Sequence, residues 1–287
     1  IEGIKDKKKE EEKKSEIDDN VPHLEFSSYP AGAYGVKNLP LKLPERILFR
    51  GATIWTSAEQ GIVKEADLLI NKGRIVSIGK DLTLPEGVKE INASGRHITP
   101  GLIDCHSHSA ISRGVNEGTH AVTVEVRIGD SLDPTDISLY RQLAGGLTTA
   151  NLLHGSANPM GGQNQVIKLR WGSDPDGLRF VGAKPGVKFA LGENVKQSNW
   201  GDKNTTRYPQ TRMGVEQIMK DTFIAASEYR KDKIKAAKEN RPHRRNYRLE
   251  AVLEILDGER IVHIHSYRQD EILMFVRLAQ KFGFVVG

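Results

Sequence analysis

The chain has 287 residues, enough for a sizeable core and for two domains. Hydrophobic residues make up 38% and charged residues 28%, the balance of a globular protein that carries polar extensions. No apolar run approaches the roughly 18 residues of a membrane-crossing helix, so a helical membrane span is excluded within this sequence. The single cysteine, Cys105, excludes an internal disulfide and leaves the compartment open. Its place just before a histidine pair reads as a packing position. The net charge of +5 has a local origin: between Glu228 and Glu250 nine Lys/Arg stand against four Asp/Glu. The spacing of Arg230, Lys231, Lys233, Lys235 and Lys238 suits a solvated helix face. A nucleic-acid surface is disfavoured, because the run's only aromatics, Tyr229 and Tyr247, lie near its ends and no binding motif accompanies them.

Taken in chain order, residues 1–44 form a mixed-charge stretch and then an extended one. Lys5 to Lys14 alternate between basic and acidic runs and bury too little apolar surface to offset ordering, which predicts a linker or a short exposed helix. Val21 to Pro44 is rich in Pro, Gly and Tyr and reads as extended. The first residue is Ile1 rather than methionine, so the sequence reads as a processed chain or a piece of a longer, multidomain one. Residues 45–97 predict short strands. Ile47 to Trp55 is the first, Asp67 to Ile70 the second, and Asn71-Lys72-Gly73 is a hairpin turn into Arg74 to Gly79. From residue 98 to 287, strands and helices alternate, the pattern of a parallel α/β architecture. The candidate strands are Leu102–Asp104, Thr148–Leu153, Val166–Leu169, Val187–Leu191, Ile261–His265 and Phe284–Val286. Helices are predicted near Asp136–Ala144, Gly214–Glu239, Asn246–Leu256 and Gln269–Phe282.

The chemistry begins at His106 and His108, which follow the apolar run Ile98-Thr99-Pro100-Gly101-Leu102-Ile103-Asp104-Cys105. Residues i and i+2 of a strand face the same side. Two imidazoles on one side at the end of a buried run are placed to share a metal ion. The competing reading, two satisfied strand-end histidines, is disfavoured by so specific a context.

The stretch Gly95 to His108 resembles the first-strand signature of the amidohydrolase superfamily. The resemblance covers roughly Pro44 to Gly287. Asn158 to Leu169 and Ala190 to Lys196 are similar to its imidazolonepropionase-like and metal-dependent dipeptidase-like branch. It implies a (β/α)8 barrel of the TIM type, present here through its first six strands, beside a small β-sandwich over residues 45–97. In such a barrel the active site lies at the C-terminal strand ends. His265 closes its strand and matches the family's fifth-strand ligand. His263 shares its face and reads as a core or supporting histidine.

Two residues compete for the fourth-strand anion. Alternation turns Lys188 into the barrel, with Val187, Phe189 and Leu191 toward the helices. Several members of the superfamily carboxylate such a lysine to a carbamate that bridges two metals. Glu193, at the strand end, is the rival, since a plain carboxylate also suits zinc. His154, at the end of the second strand, is expected at the site mouth to bind substrate or aid an oxyanion, with a hydrogen-bonded loop histidine equally open. His120 is a weaker loop candidate. Asn158 and Gln163 frame a glycine pair that allows close backbone approach to a pocket. Arg268 and Asp270 either orient substrate or cap the following helix.

The resemblance implies a hydrolase of C–N bonds in cyclic amides or dipeptide-like small molecules, using one or two Zn2+ ions or other divalent metals to activate water. It also implies a sixth-strand histidine and an eighth-strand aspartate as general base, which would lie beyond Gly287. The expected partners are a small-molecule amide and the remainder of the barrel, as a C-terminal segment or a separate chain. No nucleic-acid partner and no transmembrane segment are expected, and self-association is left open. Two rival readings stand beside it: a non-catalytic scaffold module of a multidomain protein, and a mononuclear deaminase.

Overall fold

The computed structural model describes residues 44–197, 200–201 and 207–287. The charged linker expected over residues 1–44 falls outside them, except for Pro44.

The first sheet follows from its turns and alternation. Strand β1 (Arg46–Trp55) pairs antiparallel with β2 (Ile62–Asn71), and β2 pairs antiparallel with β3 (Arg74–Gly79). Lys72 and Gly73, at φ 49° and 73°, form the tight turn between β2 and β3. Positive φ at both turn residues matches the right-handed twist of the flanking strands. Strands β4 (Lys89–Asn92) and β5 (His97–Ile98) then run parallel to β1. Ala52, Ile54, Ala66, Leu68 and Ala93 form the buried seam.

One carboxylate is buried in this sheet. Asp67 accepts from the Gly51 and Leu82 backbone N–H groups, both at 3.0 Å, and from Arg50 at 2.8 Å. Burial works to raise its pKa, yet these donors together hold it below its ordinary value. A carboxylate with a depressed native pKa stabilises the fold above its unfolded pKa, and that stability is lost as pH falls through the native one. Asp67→Asn is therefore expected to cost about 1–3 kcal/mol at pH 7. Urea unfolding at pH 7 and pH 3 should show the gap between the two proteins narrowing in acid.

The remaining strands form two further sheets, each of three strands. In one, β6 (Leu102–Ser107) runs parallel to β7 (Leu147–Leu152), and β9 (Gln165–Lys168) joins β7 antiparallel. In the other, β10 (Gly186–Ala190) runs parallel to β11 (Ile261–His265), and β8 (Met160–Gln163) joins β10 antiparallel. The all-parallel expectation is corrected here. The sheets are mixed, and among the described residues they do not close into one barrel. Phe284–Val286, expected as a strand, contributes only a bridge from Val286 to Val262.

The cause lies at Gly161, Gly162 and Asn164. A Cβ at Gly161 would approach His154 Nδ1 and the Lys188 carbonyl to 2.8 Å, and one at Gly162 would meet the Val126 side chain at 2.7 Å. Only glycine lets β8 lie this close to its neighbours. Asn164 alone separates β8 from β9, and so carries the chain from one sheet to the other. Its N–H donates to the Gly186 carbonyl at 3.1 Å, while its side-chain amide donates to Asn151 of β7.

Helices α1 (Ile137–Ala144), α2 (Pro175–Leu178), α3 (Arg212–Lys238), α4 (Tyr247–Leu256) and α5 (Gln269–Phe282) complete the order. Asp136 caps α1 and Asn246 caps α4 through side-chain oxygens. Gly283, at φ 75°, ends α5. Val187, Phe189 and Leu191 pack against Phe223 of α3, Val252 and Ile255 of α4 and Phe275 of α5. The basic run lies on α3 and beyond it, where Arg230, Lys233 and Lys235 pair with Asp257, Glu250 and Glu239. It is a solvated, ion-paired face.

Two features of β6 depart from expectation. Cys105 is exposed rather than packed. Leu102 and Ile103 are 61% and 71% exposed, because among the described residues β6 pairs only with β7 and leaves its other edge open.

Candidate functional site

Strand alternation delivers Lys188 to the interior, where it is only 2% exposed. Its Nζ lies 3.1 Å from His106 Nε2. An ammonium has no acceptor, so Nε2 takes this bond with its lone pair. Burial lowers the Lys188 pKa to about 8. His106 and His108 face each other edge to face, with ring centroids 5.1 Å apart. His108 Nδ1 lies 2.9 Å from the Leu153 carbonyl. A carbonyl only accepts, so Nδ1 carries the proton and Nε2 is left with a free lone pair. The parallel register sets Lys188 beside His263 and Ala190 beside His265. His265 Nε2 is buried with no hydrogen-bond partner, and its ring stands perpendicular to Tyr267 at 5.6 Å. Burial, then the charge of Lys188, lowers the pKa of both His106 and His265. The neutral, lone-pair-bearing imidazole is thus favoured at neutral pH.

His106, His108, Lys188 and His265 are therefore close enough to influence one another electrostatically. Glu193 is held elsewhere. Its carboxylate pairs with Lys196 at 2.7 Å and with Arg212, and Arg212 in turn binds buried Glu271 at 2.8 Å. These cations already neutralise the charge a metal would use.

His154, expected at the mouth, is 1% exposed. Its Nε2 accepts from the Glu117 N–H at 2.8 Å and its Nδ1 donates to the Gly155 carbonyl at 2.9 Å. Both nitrogens are committed, which fixes a neutral ring inside the fold. Asn158 donates to the Glu117 and His120 carbonyls and to Thr123, pinning that loop, and Gln163 donates to the Val124 carbonyl. Arg268 forms an exposed two-pronged pair with Asp270, with no side-chain cap on α5. His263 is half-buried at the level of Lys188.

Two residues here were not singled out by sequence. Tyr267 places its hydroxyl 2.7 Å from the Glu193 N–H, as acceptor, and its ring leaves no room for a side chain at Gly192. Its i+2 spacing from His265 was the available signal. Arg212 gave none, because its partners lie far off in sequence.

Among the described residues, no three His, Cys, Asp or Glu side chains are grouped closely enough to hold a metal by themselves. What lies here is a set of three imidazoles, one with an orphaned buried nitrogen, beside a lysine whose charge burial disfavours.

Compared with family models, the chain matches none. It is 30% identical over 220 residues to the amidohydrolase tasK of Hapsidospora irregularis, across 63% of this chain and 22% of that protein. A solved amidohydrolase structure from Thermotoga maritima superposes with a TM-score of 0.76 at 31% identity, covering 84% of this chain and 63% of that one. The chain is thus similar to amidohydrolases in both sequence and fold. An imidazolonepropionase of Klebsiella pneumoniae is 41% identical over 69 residues, 22% of this chain and 17% of that protein. The chain spans about a fifth of these curated relatives and under two thirds of the solved structure.

Proposed function

We propose that this chain supplies the histidine and lysine face of a divalent-metal hydrolase that cleaves C–N bonds in small cyclic amides or dipeptide-like molecules. The observation that carries the reading is Lys188, buried against His106 and in register with the strand that ends in His265. His106, His108 and His265 would hold the ion, with zinc the metal that three nitrogen donors suit. Lys188, as a carbamate, would supply the bridging anion, in preference to the ion-paired Glu193. A bound ion of this kind lowers the pKa of water toward neutrality and polarises a substrate carbonyl. The Leu153 carbonyl keeps His108 in the tautomer that presents Nε2. The names of the relatives, an amidohydrolase and an imidazolonepropionase, support the C–N class.

A further α/β segment would complete the site by pairing with the open edge of β6. The exposed Leu102 and Ile103 support this, as does the Thermotoga structure's greater length. Such a segment would carry the general base. His154, Asn158, Gln163 and Arg268 would then shape the pocket from behind or at its rim rather than grip substrate directly.

The scaffold reading has one observation in its favour, the lack of any three-residue His/Cys/Asp/Glu cluster among the described residues. Metal content separates the two. Protein prepared without chelators should hold about one to two zinc equivalents by elemental analysis, and His106→Ala with His265→Ala should abolish uptake. A metal-free wild-type protein that takes up none on addition would establish the scaffold instead.

A further inference from the structure

A cavity lies at the N-terminal end of β10, before its first residue. Pro185 precedes Lys188 by three residues, about 10 Å along a strand. The cavity has a volume of about 210 Å3, and Arg127, Asp130, Gln165, Arg179, Lys184 and Arg260 are among the residues that line it. Four of its lining side chains are cationic and one is a carboxylate. The volume falls below the roughly 300 Å3 at which sites for drug-sized ligands begin, so its ligand is small.

The cations differ in how far they are spent. Arg260 is held by Glu254 and the Gly186 carbonyl, its charge already paired with the Glu254 carboxylate. Arg179 is fixed by Asp176, Gln165 and the Gly129 carbonyl, at 3.1, 3.0 and 2.6 Å. A guanidinium has five N–H donors, so Arg179 is held rigid with donors to spare. Gly129 makes this possible, since a Cβ there would strike Arg179 at 2.7 Å. Arg127 uses only its Nε, on Asp130 at 2.8 Å. Among the described residues Lys184 has no hydrogen-bond or ion-pair partner. A pinned guanidinium, a second with its fork free and an unpaired ammonium thus surround a small cavity with one acid in its lining.

We propose that this cavity binds a small oxyanion, such as a phosphate or a carboxylate group, bridged by Arg127, Arg179 and Lys184. Planar guanidinium forks match such oxygens, and the ammonium adds a point charge. The bound anion would join the segments that precede β10 and β11 to the β8–β9 link, at the far end of the strands from His106 and His108. The inference does not depend on the hydrolase reading.

Inorganic phosphate, titrated calorimetrically into the full chain at ionic strength matched with sodium chloride, is the test. Saturable binding with a Kd on the order of 1 mM is expected. Lys184→Ala and Arg127→Ala, both at exposed side chains, should each weaken it about fivefold or more. His106→Ala should leave it unchanged. Phosphate binding more tightly than acetate would assign a phosphate-type ligand, and the reverse order a carboxylate one. No saturable heat beyond the chloride control, identical binding in both cavity variants, or loss of binding in His106→Ala would each overturn the proposal.

Discussion

Lys188→Met is expected to make the metal-free protein more stable at pH 7, by about 1–3 kcal/mol, while abolishing metal uptake. Lys188 is 2% exposed and has no carboxylate among its hydrogen-bond partners, only an imidazole nitrogen. Burial drops its pKa from 10.5 to about 8. Between these values the unfolded chain binds more protons than the native one, so stability rises with pH from about 8 to 10.5. Below pH 8 the full penalty applies, since one pKa unit corresponds to about 1.4 kcal/mol. Methionine fills a similar volume without charge and adapts its shape. Urea unfolding from pH 7 to 10.5 should show wild-type stability climbing while the variant stays flat at this site. A variant less stable than wild type at pH 7 would mean that Lys188 already carries a stabilising partner or modification.

Phe189→Ala is expected to cost about 3–5 kcal/mol, enough to unfold much of a marginally stable domain. The ring is fully buried and sits 6.4 Å from Phe223 and 6.1 Å from Phe275, centroid to centroid. It thereby joins β10 to α3 and α5 at once. The aromatic neighbours are themselves locked, Phe223 stacking on Phe284 at 4.8 Å, so the void cannot close easily. Phe189→Leu should lose roughly a third to a half as much, because it restores most of the removed volume. Thermal melts followed by near-ultraviolet circular dichroism would give the ranking wild type, Leu, Ala.

What the sequence disclosed tracks how local each signal is. The proximity of His106 and His108 was legible because a two-residue spacing along a strand is a local statement. Lys188 was legible because Val187, Phe189 and Leu191 declare the apolar face and leave it the other. The helix ends at Asp136, Asn246 and Gly283 were marked by residues that cap for known reasons. Strand β8 was not legible: Asn158 to Asn164 has the Gly and Asn content of a loop, and only neighbours remote in sequence show why glycine is needed there. The burial of His154 and the clamp joining Glu193, Arg212 and Glu271 were hidden for the same reason. They depend on backbone amides and side chains brought together by the fold.

The single-residue link at Asn164 constrains how this molecule can come apart. Sliding a strand by one position exchanges its inward and outward faces. Because β8 and β9 are separated by one residue, a slip in either would have to be absorbed by the other, which belongs to a different sheet. Neither layer can fray or re-pair alone. Amides of β7 and of β10 should therefore exchange with solvent at closely matched rates in native-state hydrogen exchange, as one cooperative block.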